Sequence, residues 1–229
     1  SPKFQHASVW LDLVDHGGGD GGGLESDSSG GFMSIEDIAG AIADGRARFH
    51  AAHPDADDSV TGVVANQCLM SSLGFADSLS RSGVRFLCAS PETMLAPGVP
   101  SAKVAVDLTN ADTAAWPAAV VDDTMRTRYG TDGYHPAAAF DVLDLDPAKM
   151  TAVRETVKDF YAAVEALPRL GDDADALRDV RADIASVKGM ARFDHTGMPW
   201  HADRPAIAVF DRVAADARVP ATVRDAAAR

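Results

Sequence analysis

The sequence predicts an α/β fold built on a mostly parallel sheet, followed by a helical C-terminal part. Three observations carry this. Short apolar or β-branched runs recur at Val9–Val14, Val60–Ala65, Val84–Ala89 and Phe140–Leu145, separated by stretches with helical patterning; that alternation is the signature of strands joined by right-handed helical crossovers. From Pro147 onward the chain is Ala-rich and helical in pattern. Hydrophobic residues make up 46% and charged residues 24%, the balance of a folded core rather than a disordered chain.

The elements follow in order. Val9-Trp-Leu-Asp-Leu-Val14 reads as a buried strand that runs through Asp15-His16 into a glycine-rich stretch reaching Gly31, expected to be irregular loop. Ser34-Ile35-Glu36-Asp37 carries a helix start: a Ser N-cap, carboxylates in the first turn, and Ile35, Ile38 and Ile42 at helical spacing. A turn over residues 55–59 leads to the second strand, which ends at Asn66-Gln67-Cys68, and residues 69–81 are expected to be helical. After the third strand, Val84–Ala89, a loop with Pro and Gly runs from Ser90 to Ser101; residues 111–129 suit a helix, and Phe140–Leu145 is the fourth strand. Breaks in the C-terminal helices are expected near residues 168–175 and 189–205. The expected division is 1–150 for the α/β domain and 151–229 for a helical region packed on or beside it.

Composition excludes some functions. With 229 residues the chain is long enough for one domain and a helical appendage. Against 34 Asp+Glu stand 21 Lys+Arg, a net charge of −13, which repels nucleic acid. No apolar run approaches the roughly 18 residues of a membrane-spanning helix, so neither nucleic acid nor membrane is an expected partner. The opening Ser1-Pro2-Lys3 has no signal-like character, the expectation for a processed product or a fragment. Two cysteines are too few for a disulfide framework or a cysteine-rich zinc site.

In an open parallel sheet, ligands bind beyond the carboxyl ends of the strands. The first strand delivers His16 to that edge and the second delivers Cys68. An imidazole near a thiol favours the thiolate and makes it a nucleophile. Gly17 lets the backbone approach a substrate closely, and its N–H, with that of Cys68, suits a developing oxyanion. The competing reading is a small buried thiol and a polar loop histidine. Cys88, between Leu87 and Ala89 inside a strand, reads as a core thiol.

Asp15-His16-Gly17-Gly18-Gly19 after an apolar strand, Ser34-Ile35 opening a helix, and Asn66-Gln67-Cys68-Leu69-Met70 together resemble the clostripain family of cysteine peptidases, which have a three-layer caspase-like fold. Cys88-Ala-Ser-Pro-Glu-Thr93, Pro97-Gly98-Val99-Pro100 and Phe140–Leu145 are similar to later segments of that family. The resemblance implies hydrolysis of peptide bonds in a peptide or protein substrate, with His16 as general acid/base and Cys68 as nucleophile, and a common preference for Arg or Lys on the acyl side of the bond. It implies no obligatory cofactor, although some members depend on calcium. It points to Asn66, Ser90 and Glu92 as the substrate-side residues.

Departures from the family pattern bear on specificity. Asn66 stands where the family usually has Asp, Gly74 replaces a carboxylate, and Gly98-Val99-Pro100-Ser101 replaces an aromatic-containing step. The family also has two strands before the His-bearing one, so an upstream segment or partner chain is expected to cover the Val9–Val14 edge. The rival reading is a non-catalytic module of the same fold, favoured by these departures and opposed by the intact His16, Gly17 and Cys68. Other motifs are weaker. The His-Gly-Gly-Gly of esterases needs a Gly-x-Ser-x-Gly elbow, absent here; Gly17-x-Gly19-x-x-Gly22 opens no helix as a dinucleotide loop would. His50 with His53, and His195 with His201, lack a third metal ligand. Asp20, Glu25 and Asp27 do not have the spacing of a calcium-binding EF-hand loop.

Overall fold

The structure is a computed structural model that describes residues 8–25, 31–94, 98–110, 115–126, 139–168, 174–187 and 205–229. The chain divides into two compact units, the first running to Pro147 and the second beginning at Ala148.

The first unit contains a four-stranded sheet in sequence order, β1 (Val9–Val14), β2 (Val60–Asn66), β3 (Val84–Ala89) and β4 (Asp141–Asp144). β1, β2 and β3 are parallel, and β4 runs antiparallel to β3. Between them lie α1 (Ile35–Ala52), α2 (Leu73–Arg81), α3 (Ser101–Asn110) and α4 (Trp116–Thr124). Alternation along the strands sorts side chains between two faces. Asp12, Val64, Cys88 and Val142 form one row across the sheet; Val64 and Cys88 are buried there with Val104 of α3 and Val120 of α4. The next row, Leu11, Val63, Leu87 and Leu143, faces the other way, where Leu11 and Leu13 share a groove with Ile38 and Ile42 of α1. Helices on both faces of a mostly parallel sheet make three layers, the arrangement the alternating pattern predicts.

Local chemistry explains the element boundaries. Ser34 caps α1 by accepting from the Asp37 N–H at 3.0 Å, and Ile35, Ile38 and Ile42 are buried as their spacing requires. Gly62 sits in mid-strand because the Trp10 ring lies over it: a β-carbon there would fall 2.3 Å from the ring. Arg85 of β3 fixes the β4 exit through Asp144 at 3.0 Å and Asp146 at 2.6 Å.

Two expectations need correction, and one helix has no counterpart among them. The helix expected over 69–81 begins only at Leu73, where Ser72 caps it by accepting from the Phe75 N–H at 3.2 Å; Leu69 has a left-handed backbone that a helix cannot contain. The helix α3 (Ser101–Asn110) begins where the expected loop ends and fills a stretch to which no element was assigned, with Pro100 just before its first residue. The glycine-rich segment is ordered in part: a 3-10 turn spans Gly19–Gly21, and Gly23 bridges both Gly17 and Met33. Residues 111–114 and 127–129 of the expected 111–129 helix lie outside the described residues, as do His195, His201 and Asp27.

The second unit contains α5 (Pro147–Glu165), α6 (Asp175–Ser186), α7 (Ala206–Ala215) and α8 (Ala221–Ala227). Phe160, Val180, Val213, Val219 and Val223 form its core, with the Phe160 and Phe210 rings 5.0 Å apart. Asp183 is buried beneath α7 and pairs with Arg212 at 3.0 Å.

Candidate active site

β1 and β2 are parallel and in register at Val14 and Asn66, so both strands deliver their next residues to one edge of the sheet. Two positions further on along each chain stand His16 and Cys68. The Asp15 N–H still reaches the Asn66 carbonyl at 3.5 Å. Beyond it the backbones stay close: a β-carbon on Gly17 would lie 2.3 Å from the Cys68 carbonyl oxygen and 2.9 Å from Gln67 Cβ and from Met70 Cγ. Only glycine fits between the two strand exits. His16 is exposed, and Cys68 is a half-buried free thiol.

The loop after His16 folds back as a small glycine hairpin. Gly18 N–H donates to Gly22 O at 2.8 Å and Leu24 N–H to His16 O at 3.1 Å. These two bonds flank the Gly17–Gly23 bridge and leave the Gly17 N–H outside the pairing. Gln67 supports the hairpin from beneath. Its side chain is 1% exposed, its Nε2 donates to His16 O at 3.1 Å, and Gly23 lies against its amide so closely that a β-carbon would fall 2.9 Å from Oε1. At the tip, Asp20 accepts from the Ser72 hydroxyl at 2.6 Å, beside the N-terminus of α2, where a carboxylate is favoured by the helix dipole.

On the other side of Cys68 the chain is held by the loop that follows β3. Leu69 N–H donates to Glu92 O and Ser71 N–H to Ser90 O, both at 3.0 Å. The Met94 N–H donates to Cys68 Sγ at 3.2 Å, and Sγ faces the Met94 carbonyl oxygen at 3.8 Å, so the 94 backbone holds the sulfur in place. Leu24 and Leu69 are the non-glycine residues with positive φ among those described, at 55° and 66°. A bulky side chain in this region costs roughly 1–2 kcal/mol. Both strained positions touch the candidate site: Leu69 follows Cys68, and Leu24 binds the His16 carbonyl. Sequence reasoning missed the Met94 donor and both left-handed leucines, because a backbone amide and a backbone dihedral leave no mark in residue type.

The substrate-side residues are drawn into the scaffold. Asn66 Oδ1 accepts from the Val99 N–H at 2.8 Å, and Gly98, at φ 65°, presses against that amide. The Ser90 hydroxyl is buried, donating to Glu92 O at 2.9 Å and accepting from Glu92 N–H at 3.1 Å. Ser90 thus shapes the turn, while the Glu92 side chain is half-buried. Gly74 leaves the space Asp20 occupies: a β-carbon there would lie 2.6 Å from Asp20 Oδ1. Cys88 lies in the core, where burial pushes its thiol up to about 12. Among the described residues, no group of three or more His, Cys, Asp or Glu is placed to hold a metal ion, and no helix is long and apolar enough to cross a membrane.

No family model and no curated protein matches the sequence. Among solved structures, the fold is similar to that of an inactive zymogen C11 protease from Parabacteroides distasonis, at 17% identity and a TM-score of 0.48, covering 83% of this chain and 46% of that one. It is also similar to a secreted C11 cysteine protease from Bacteroides thetaiotaomicron in complex with an irreversible peptide inhibitor, at 14% identity and a TM-score of 0.48, covering 70% of this chain and 45% of that one. A clostripain from the same organism, in complex with a peptide inhibitor, matches at 17% identity and a TM-score of 0.43, covering 63% of this chain and 55% of that one. The chain spans about half the length of these proteins.

Proposed function

We propose that the chain is the catalytic part of a cysteine endopeptidase working through a Cys68–His16 dyad. The observation that carries this reading is the parallel register of β1 and β2, which delivers His16 and Cys68 to one sheet edge with Gly17 packed on the Cys68 carbonyl. In the reaction, the Cys68 thiolate attacks the scissile carbonyl carbon. The imidazolium of His16 gives its proton to the leaving amine as the C–N bond breaks. A water then loses a proton to His16 and attacks the thioester, and the thiol is regenerated as the carboxylate leaves. The N–H groups of Gly17 and Cys68 are the donors for the oxyanion in both steps.

A preference for Arg or Lys is proposed to rest on Glu92, with Asn66 holding the 98–100 loop in place. Calcium is not required by this chemistry. The exposed side of β1 is proposed to be covered by an upstream segment or a partner chain. Support comes from the edge position of β1, from Val9 and Val14 at 42% and 62% exposure, and from a groove of about 490 Å³ between Leu11, Leu13, Ile38, Ile42 and Phe49. An uncovered apolar edge invites association.

The test is incubation of the purified chain, with and without the upstream segment, with a proteome-derived peptide library whose cleavage sites are then sequenced. Cleavage that disappears in Cys68→Ala and in His16→Ala is the expected result. An uncleaved library in both forms supports instead the non-catalytic module, the reading to which the engagement of Asn66 by Val99 lends weight.

A further inference from the structure

We infer that Gln67 is a positioning residue that sets His16 relative to Cys68, an inference that rests on the dyad reading above. Gln67 has one side of its backbone in the chain that presents the thiol and its side chain under the chain that presents the imidazole. The amide crosses from β2 to β1 by donating from Nε2 to the His16 carbonyl at 3.1 Å. It is 1% exposed, so the bond is shielded from competing water. Its orientation is fixed chemically: the reverse placement would set Oε1 against the carbonyl oxygen, two acceptors facing one another.

Two features separate positioning from plain structural support. The His16 carbonyl already accepts from Leu24 N–H at 3.1 Å, so that acceptor stays satisfied without Gln67. Among the described residues the buried Gln67 Oε1 has no hydrogen-bond partner, and a buried acceptor left in that state costs stability. An apolar side chain of the same length would remove this cost and give up a bond the carbonyl can spare. What it would lose is the second anchor on His16. The side chain also forms the floor against which Gly17 and Gly23 pack, so the same amide sets the height of the glycine hairpin over Cys68.

The experiment is a double-mutant cycle on the full 229-residue chain, read by the rate of Cys68 alkylation with iodoacetamide and checked by thermal melting. The variants are Gln67→Met, His16→Ala and the two together; Gln67→Asn, too short to reach His16, serves as a second lesion should Gln67→Met not fold. Expected are a melting temperature within about 3 °C of the parent and an alkylation rate lower by about tenfold in Gln67→Met. His16→Ala is expected to be at least as slow, and the double variant no slower than His16→Ala alone. Unchanged alkylation in both Gln67 variants overturns the inference while leaving the dyad intact. Equal slowing with and without His16 also overturns it, because Gln67 then acts on Cys68 independently. If His16→Ala itself alkylates at the parent rate, the dyad reading fails, and the role of Gln67 with it.

Discussion

Replacing Gly17 by alanine tests the closeness of the two strand exits. The added β-carbon would sit 2.3 Å from the Cys68 carbonyl oxygen, with Gln67 Cβ and Met70 Cγ each 2.9 Å away. Normal contact is about 3.5 Å, so something must move by about 1 Å. The Cys68 oxygen belongs to the backbone, Met70 is fully buried, and Gln67 is held to His16. None of the three yields cheaply. Overpacking of this kind costs about 1–3 kcal/mol, a fall of roughly 2–12 °C in melting temperature for a chain of this size. A shift of about 1 Å between Cys68 and His16 costs on the order of a hundredfold in rate. Gly21 supplies the control, since a β-carbon there meets nothing within 4 Å; Gly21→Ala is expected to leave both quantities unchanged. The assays are thermal melting and the rate of Cys68 alkylation. A Gly17→Ala chain that melts and alkylates like the parent would refute the packing on which the site rests.

Other predictions follow from the same geometry. Iodoacetamide should label Cys68 in the folded chain and Cys88 only after unfolding, because burial holds the Cys88 thiol up near 12; peptide mapping that finds Cys88 labelled first contradicts this. Asn66→Asp keeps the acceptor for Val99 N–H and adds a charge beside Cys68, so kcat/KM for Arg substrates relative to uncharged ones should rise, a charge-assisted bond being about twice as strong as a neutral one. An unchanged ratio assigns the preference to Glu92 alone. In the helical unit, burial first and the nearby Asp216 second raise the Asp183 carboxyl above its ordinary value of 3.8. The folded state therefore holds that proton more tightly than the unfolded one, and the contribution of Asp183 to stability falls as pH rises from that value. Against Asp183→Asn, the parent should lose melting temperature between pH 4 and pH 7; a relative gain would reverse the sign of the argument.

Much of the scaffold was legible because it follows from short-range rules. The strand runs at residues 9, 60 and 84, the Ser34 cap and the isoleucine stripe of α1 are written in residue types at fixed spacing, and the structure bears out the three-layer α/β arrangement. The antiparallel direction of β4 was not legible, since the pairing of Arg85 with Asp144 and Asp146 joins residues far apart in sequence. The same holds for the glycine hairpin, which takes its order from Gln67 and from the Asp20–Ser72 bond. His16, Gly17 and Cys68 were picked out as residues, but what surrounds them was not. The left-handed Leu69 and the Met94 amide on Cys68 Sγ arise from tertiary contacts between three loops. Asn66 and Ser90 were read as substrate-side residues; the bonds from Val99 N–H to Asn66 Oδ1 and from the Ser90 hydroxyl to Glu92 O are loop contacts with no mark in residue type.

The pairing of His16 with Cys68 is tested most directly by a peptidyl electrophile that modifies a thiol only when an adjacent base activates it. The full chain is treated with a peptidyl acyloxymethyl ketone carrying Arg at its terminal residue, and the adduct is located by mass spectrometry. The account predicts one adduct, on Cys68, formed in the parent and lost in His16→Ala while iodoacetamide still labels Cys68 slowly. An adduct that forms equally well without His16, or none on Cys68 in the folded parent, would contradict it.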